Sequence, residues 1–227
     1  MDICILTYNR LVYLQKCFWS IIASSKLPNR IFIFDDCSTD GTKEFILHLK
    51  ESGLINDYIF NDKKTNCADN CNRIIDLTSS ENFVITNDDM YFHRGWDEEC
   101  FKRIDYFEDC GIVSFYNYQR IRKDEGNIKV NDTTYKVQRT GLGASIILRE
   151  LYEKAGKFKL NDGQQMGYFA TPFCSRASEV DIVRNKHYVT IPHYATHMDD
   201  PTCKLNEREA LKEYCKFRSE KKIGCGK

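Results

Sequence analysis

The feature that most constrains this chain is an alternation of short apolar runs and amphipathic stretches across its first 90 residues. Ile3-Cys4-Ile5-Leu6 is apolar and ends in Thr7-Tyr8-Asn9. Leu11, Leu14, Phe18, Ile21 and Ile22 follow at the spacing of a helix with one buried face, which stops near Ser24-Ser25, before Pro28. Ile31-Phe32-Ile33-Phe34 is too short for a helix and suits a strand covered on both faces. Asp35 to Gly41 reads as a loop, in which Ser38, Thr39 or Asp40 caps a second helix marked by Phe45, Ile46 and Leu49. Residues 58–60 form a third strand, 66–77 a third helix, and 83–85 a fourth strand ending in Thr86-Asn87-Asp88-Asp89. This rhythm predicts a parallel sheet with helices on both faces.

Beyond residue 92 the rhythm breaks. Residues 96–107 read as a helix, 111–115 as a strand and 128–137 as a weakly alternating hairpin. A short helix over 148–155 stops at Gly156, residues 157–180 look irregular, and 188–191 form a late strand. Residues 204–222 are charged and helical in pattern. With no repeat, low-complexity tract or linker, the expectation is one α/β domain over 1–227. Its parts are a nucleotide-binding half at 1–92, a second half at 93–200, and a C-terminal helix and tail at 201–227.

Composition narrows the functional classes. Thirty-three basic side chains balance 33 acidic ones, which argues against a global electrostatic grip on nucleic acid or an anionic membrane. No apolar run approaches the roughly 18 residues of a membrane span. The N-terminus lacks the basic and small-residue marks of a signal peptide. Eleven cysteines make an odd count without a C-x-x-C pair. Cys67 and Cys71 stand four apart, one face of a helix, whereas zinc sites use two close pairs or a Cys/His set. Reduced, mostly buried thiols and a cytoplasmic location are the expectation, and the sequon Asn131-Asp132-Thr133 is then incidental.

In an open parallel sheet, ligands bind beyond the carboxyl ends of the strands. Three of the four front strands end there in polar clusters: Thr7-Tyr8-Asn9-Arg10, Asp35-Asp36 and Asn87-Asp88-Asp89. Turn and cap chemistry accounts for one such cluster. It accounts less well for two pairs of adjacent carboxylates, which repel unless a cation or hydrogen-bond donors offset them. A hard divalent cation bridging a diphosphate would do so.

These clusters resemble a known family. Residues 3–10, Ile33-Phe-Asp-Asp-Cys-Ser-Thr-Asp-Gly-Thr42 and the strand-end Asn87-Asp88-Asp89 are similar to family 2 glycosyltransferases of the GT-A fold, a Rossmann-like, mostly parallel sheet flanked by helices. The likeness covers residues 2–100 best. It continues weakly in Gly143-Ala-Ser-Ile-Ile-Leu-Arg149, Ala155-Gly-Lys-Phe158, and Ile191-Pro192 followed by His197. It implies a glycosyltransferase moving a sugar from a UDP-sugar donor to an acceptor hydroxyl, with Mn²⁺ or Mg²⁺ and inversion. Residues 93–200 become the acceptor side.

On this resemblance Tyr8 would stack on the nucleobase and Asp36 would accept the N3–H of uracil. Thr7, Asn9 and Arg10 would line the base and diphosphate, and Asn70 and Arg73 would be a third nucleotide-side element or a solvated helix face. Asp89 would hold the metal, with Asp88 at the ribose or on the metal through water. His197 would complete the coordination, with His193 as the alternative. Asn87 stands where the family carries its first aspartate, which leaves one carboxylate fewer. Tyr116, Tyr118, Trp96, Tyr168 and Phe169 would form an acceptor pocket or belong to the core.

One departure bears on mechanism. The family's acidic pair, which supplies the base, falls by spacing near Gly167-Tyr168-Phe169, where no carboxylate stands. Asp162 is the first choice for that base, with Glu179 and Asp181 downstream. If none serves, the chain is a retaining enzyme or a silent sugar-nucleotide-binding protein. A sugar nucleotidyltransferase is the third reading, weakened by the absence of glycine from residues 7–14. The acceptor is open: a glycan, a lipid, a protein or a modified base.

Overall fold

A computed structural model describes residues 1–114, 128–132, 134–138, 140–160, 170–190 and 194–198. Its first half runs β1 (Asp2–Thr7), α1 (Leu11–Ser24), β2 (Arg30–Asp35), α2 (Thr42–Glu51), β3 (Asp57–Phe60), α3 (Cys67–Ile75) and β4 (Asn82–Asn87). Then come β5 (Met90–Phe92), α4 (Trp96–Tyr106), β6 (Cys110–Ser114), β7 (Ile128–Asn131), β8 (Thr134–Val137) and β9 (Ala144–Leu148). The last described elements are α5 (Arg149–Ala155), α6 (Ala170–Glu179), β10 (Lys186–Thr190) and β11 (Ala195–His197).

Alternate side chains of a strand face opposite sides of a sheet, and here both sides are dry. Ile3, Ile5, Ile31, Ile33 and Val84 pack with Leu14, Phe18 and Ile21 of α1, Ile46 and Leu49 of α2, and Ile104 of α4. Their neighbours Cys4, Leu6, Phe32, Phe34, Phe83 and Ile85 pack with Cys71 and Ile74 of α3, Leu151 of α5 and Phe173 of α6. The uninterrupted apolar runs thus form the middle layer of three. The strand order is β3-β2-β1-β4-β9-β6-β10-β8-β7. β3, β2, β1 and β4 are parallel, and β9 lies antiparallel between β4 and β6. β10 runs parallel to β6, and the expected hairpin, β7–β8, closes that edge.

Helix starts follow from local chemistry. Asn66 accepts the amide of Asp69 at 2.9 Å, so α3 begins at Cys67. Of Ser38, Thr39 and Asp40, the residue that serves α2 is Asp40, which accepts Thr42 N at 3.2 Å and Thr42 Oγ1 at 2.6 Å. Its other oxygen accepts Leu11 N at 2.9 Å. One carboxylate therefore sits at the positive ends of two helices.

The structure corrects the sequence reading in places. Part of the stretch read as irregular is α6, whose Ala170, Phe173, Cys174 and Ala177 recur at helical spacing, with Phe173, Cys174 and Ala177 buried. Small residues and Pro172 hide that stripe. Trp96 is fully buried, its ring 4.8 Å from that of Phe92, so it belongs to the core and not to an acceptor pocket. Tyr116, Tyr118, Tyr168, Phe169, Asp162, His193 and residues 204–222 lie outside the described residues. The eight described cysteines are free, six of them buried. Among the described residues no helix is long and apolar enough to cross a membrane.

At the amino end of the sheet, buried Asp2 accepts Arg30 Nε at 2.8 Å and Nη2 at 2.9 Å, and the amides of Ser79 and Ser80 at 2.8 Å each. Burial alone raises a carboxyl pKa, but these four donors outweigh it and lower Asp2 to about 2. A depressed carboxyl stabilises the fold above its unfolded pKa, and that stability is lost as pH falls through the folded value. Asp2→Asn is expected to cost on the order of 2 kcal/mol at pH 7. Urea unfolding of both proteins should show the gap closing between about pH 4 and pH 2.

Candidate active site

The parallel order places the ends of β2, β1 and β4 side by side. Two backbone bonds carry the ladder past the strands: Asp36 N to Thr7 O at 3.0 Å and Asp88 N to Leu6 O at 3.1 Å. Tyr8, Asp36 and Asp88-Asp89 are thereby fixed on neighbouring strand ends.

The two carboxylates at the end of β2 have different tasks. Asp35 is fully buried and accepts Ser38 N at 3.0 Å, which closes the turn; burial raises its pKa. Asp36 points the other way, as strand alternation requires. Its Oδ1 accepts Asn61 Nδ2 at 2.8 Å, Thr65 N at 3.0 Å and Thr65 Oγ1 at 3.3 Å. Asn70 joins this group from α3, accepting from Thr65 Oγ1 and from Asn61 Nδ2 at 3.4 Å. Arg73 is exposed, donates to Asn61 Oδ1 and lies 5.2 Å over the Phe34 ring. Asn70 is therefore buried against the Asp36 group and is not a solvated face residue.

Tyr8 is 38% exposed, with Lys64 Nζ 3.9 Å from its ring centroid. A cation that close to an aromatic face is attracted by the ring quadrupole. Asn9 turns back to the β2–α2 loop. Its φ of 49° is a left-handed conformation that Asn tolerates, its amide donates to Ser38 Oγ at 2.7 Å, and its Oδ1 accepts Thr39 N at 2.7 Å. Its side-chain oxygen is thus engaged by the loop.

After β4, Asp88 Oδ2 accepts the Thr7 hydroxyl at 2.7 Å, so Thr7 serves a carboxylate. Arg10 Nη1 bridges the pair, 3.3 Å from Asp88 Oδ1 and 2.6 Å from Asp89 Oδ2. β11 pairs with β5 antiparallel, His197 opposite Met90, and this ribbon carries His197 Nε2 to 3.6 Å from Asp89 Oδ2. Burial raises the Asp88 pKa against the pull of Arg10, and the charge of Asp89 adds to the rise. Burial also raises Asp89, but His197 and Arg10 outweigh it and hold that carboxyl low. Asp89 is the more readily ionised member. Its Oδ1 is buried without a hydrogen-bond partner among the described residues.

That orphaned oxygen, a second carboxylate and an imidazole fit a hard divalent cation that completes its shell with phosphate oxygens. Among the described residues no three His, Cys, Asp or Glu side chains form a complete metal set by themselves. Asn87 Oδ1 supplies no charge, and its backbone is tied to Gly143 O at 3.0 Å.

Two alternatives for the base are displaced. β10 runs parallel to β6, and β6 to β4 through the antiparallel β9, so the amino end of β10 lies at the end of the sheet opposite Asp88-Asp89. Glu179 ends α6 and Asp181 sits in the connection from it into that end, and both are exposed. The sequence reading also missed Asn61, Lys64 and Thr65. Their signal, polar residues just past a short third strand, does not differ from an ordinary loop.

In a doubly covered α/β sheet, the carboxyl ends of the parallel strands are where ligands bind, and here those ends gather carboxylates beside an exposed aromatic. The chain belongs to glycosyl transferase family 2, whose family model matches residues 2–215. The GT-A fold is borne out by solved structures of similar architecture. S. aureus TarS 1–349, in complex with UDP-GlcNAc, is 15% identical with a TM-score of 0.66, over 89% of this chain and 61% of that one. The mannosyltransferase PcManGT from Pyrobaculum calidifontis, in complex with GDP-Man and Mn²⁺, is 16% identical with a TM-score of 0.67, over 100% of this chain and 64% of that one. GalNAc-T7 with UDP, GalNAc and Mn²⁺ is 13% identical with a TM-score of 0.65, over 86% and 43%. This chain thus spans less than two thirds of the length of each of these structures. No curated protein sequence matches it.

Proposed function

We propose that this chain transfers a sugar from a UDP-sugar to an acceptor hydroxyl, assisted by Mn²⁺ or Mg²⁺, with inversion at the anomeric carbon. The observation that carries the reading is the order of groups along adjacent strand ends. Tyr8 and Asp36 offer a stacking face and a base-edge acceptor at β1 and β2, while Asp88, Asp89, Arg10 and His197 gather at β4. Two strand spacings, roughly 10 Å, separate the ends of β2 and β4. A nucleoside diphosphate has that reach.

Asp89 and His197 would hold the cation, with Asp88 alongside; when bound, it would neutralise charge on the departing diphosphate. Arg10 adds a fixed guanidinium beside the same phosphates, a preorganised electrostatic contribution. Thr7 holds Asp88 in place through its hydroxyl. UDP in two of the similar structures and Mn²⁺ in two support this choice of donor and metal. GDP-Man in a third means that uracil and guanine, which both offer a carboxylate an N–H donor, are told apart by where Asp36 is held. Residues 93–200 would form the acceptor side.

The acceptor hydroxyl must lose a proton, and Asp162 is the base in this reading. Asp162→Asn preserves size but removes basicity, so transfer should fall about 10²–10⁴-fold while UDP affinity stays the same. An unchanged rate would rule Asp162 out. The reaction class is tested by the leaving group: Mn²⁺-dependent release of UDP from UDP-sugars is expected. Pyrophosphate release from UTP and a sugar phosphate would make the chain a nucleotidyltransferase. UDP binding without turnover would make it a binding protein.

A further inference from the structure

Asn61 lies just past β3 and is buried, yet its carboxamide is used almost completely. Nδ2 donates to Asp36 Oδ1 at 2.8 Å and to Thr65 Oγ1 at 2.8 Å. Oδ1 accepts from Arg73 Nη1. Only one orientation of the amide suits both neighbours, since a guanidinium can only donate and a carboxylate can only accept. Arg73 thus sets the direction of Asn61, and Asn61 sets that of Asp36.

Every hydrogen bond of the Asp36 carboxylate within the described residues falls on Oδ1, from Asn61 and Thr65. Rotation about the terminal torsion of an aspartate is otherwise soft. Clamping one oxygen fixes the plane of the group and leaves Oδ2 without a hydrogen bond among the described residues. We propose that Asn61 is a positioning residue for nucleobase selection, holding Asp36 so that Oδ2 meets the donor edge of the base. The inference rests on the reading of Asp36 as the uracil contact.

The consequence concerns the choice between two pyrimidines of equal size. Uracil presents N3–H, a donor, where cytosine presents a bare N3 acceptor. A rigid carboxylate oxygen accepts from the first and repels the second. A carboxylate free to turn loses part of the bond to uracil and escapes part of the clash with cytosine. Asn61 should therefore govern the ratio of UDP to CDP affinity more than the affinity for either.

The test is calorimetric titration of UDP, CDP and pyrophosphate, each with Mn²⁺, into the wild type and the variants Asn61→Ala, Asn61→Asp and Asp36→Ala. The wild type should prefer UDP, and Asp36→Ala should lose that preference. Asn61→Ala should reduce the UDP:CDP ratio about tenfold, the order of one lost hydrogen bond, with pyrophosphate binding unchanged. Asn61→Asp keeps the shape and the Arg73 partner but offers Asp36 no donor, so it should reduce the ratio at least as far. Should Asn61→Ala fail to fold, Asn61→Asp and exposed Arg73→Met carry the same readout. If the Asn61 variants weaken UDP and CDP equally while Asp36→Ala abolishes the preference, Asn61 is only structural and the inference fails alone. If the wild type shows no preference, the uridine reading fails and takes this inference with it.

Discussion

Asp89→Ala is expected to lower sugar transfer by on the order of 10²–10³-fold or more while shifting the melting temperature by less than about 4 °C. The two readouts separate because of how this carboxylate is held. Oδ2 pairs with Arg10 at 2.6 Å, whereas Oδ1 is buried without a partner among the described residues. Losing the ion pair destabilises the fold, and removing an unsatisfied buried oxygen offsets much of that loss. A group kept at such a cost has a task other than stability. The same variant should lose the gain in UDP affinity that Mn²⁺ gives the wild type, measured by titration with and without the metal. His197→Ala should weaken that gain less, because its ring is one-third exposed and 3.6 Å from Asp89. Wild-type transfer at full rate in EDTA would refute both roles.

The second large effect concerns the base. UDP with Mn²⁺ should raise the melting temperature well above the value in GDP with Mn²⁺, with affinities on the order of 10²-fold apart or more. Guanine also presents N–H donors on that edge, so the discrimination is one of position: a two-ring base stacked on Tyr8 carries its donor to a different place, and an acceptor held for the smaller ring is left unpaired. Asp36→Ala should remove the difference. Tyr8→Ala should instead weaken UDP and GDP together, by roughly 1–3 kcal/mol, since every base has a face to stack. Equal stabilisation of the wild type by UDP and GDP would overturn the uridine assignment.

These expectations divide along the line between sequence and structure. The front strands and their helices are legible in the sequence because two dry faces demand unbroken apolar runs at β1, β2 and β4, and polar residues such as Asn66 and Asp40 mark helix starts. Once the sheet is parallel, its carboxyl ends must hold Tyr8, Asp36, Asp88 and Asp89 together, so the candidate site follows from chain order alone.

What each of those groups does there was decided by tertiary structure. Alternation past the end of β2 gives Asp35 to a buried turn and Asp36 to the site, although the two are chemically identical in the sequence. Thr7 and Asn9, on either side of exposed Tyr8, are engaged by Asp88 and the β2–α2 loop. β5 and β11 are three-residue strands, too short to show a period, and only their mutual ladder brings His197 to Asp89. The antiparallel insertion of β9 sets the direction of β6 and β10 and so puts Glu179 and Asp181 toward the opposite end of the strands. The Asn61 clamp joins a loop to α3 and the end of β2 through side-chain hydrogen bonds that leave no periodic trace in the sequence. Local patterning records which residues are buried and where helices begin. The pairing of distant polar groups depends on distances that only the folded chain creates.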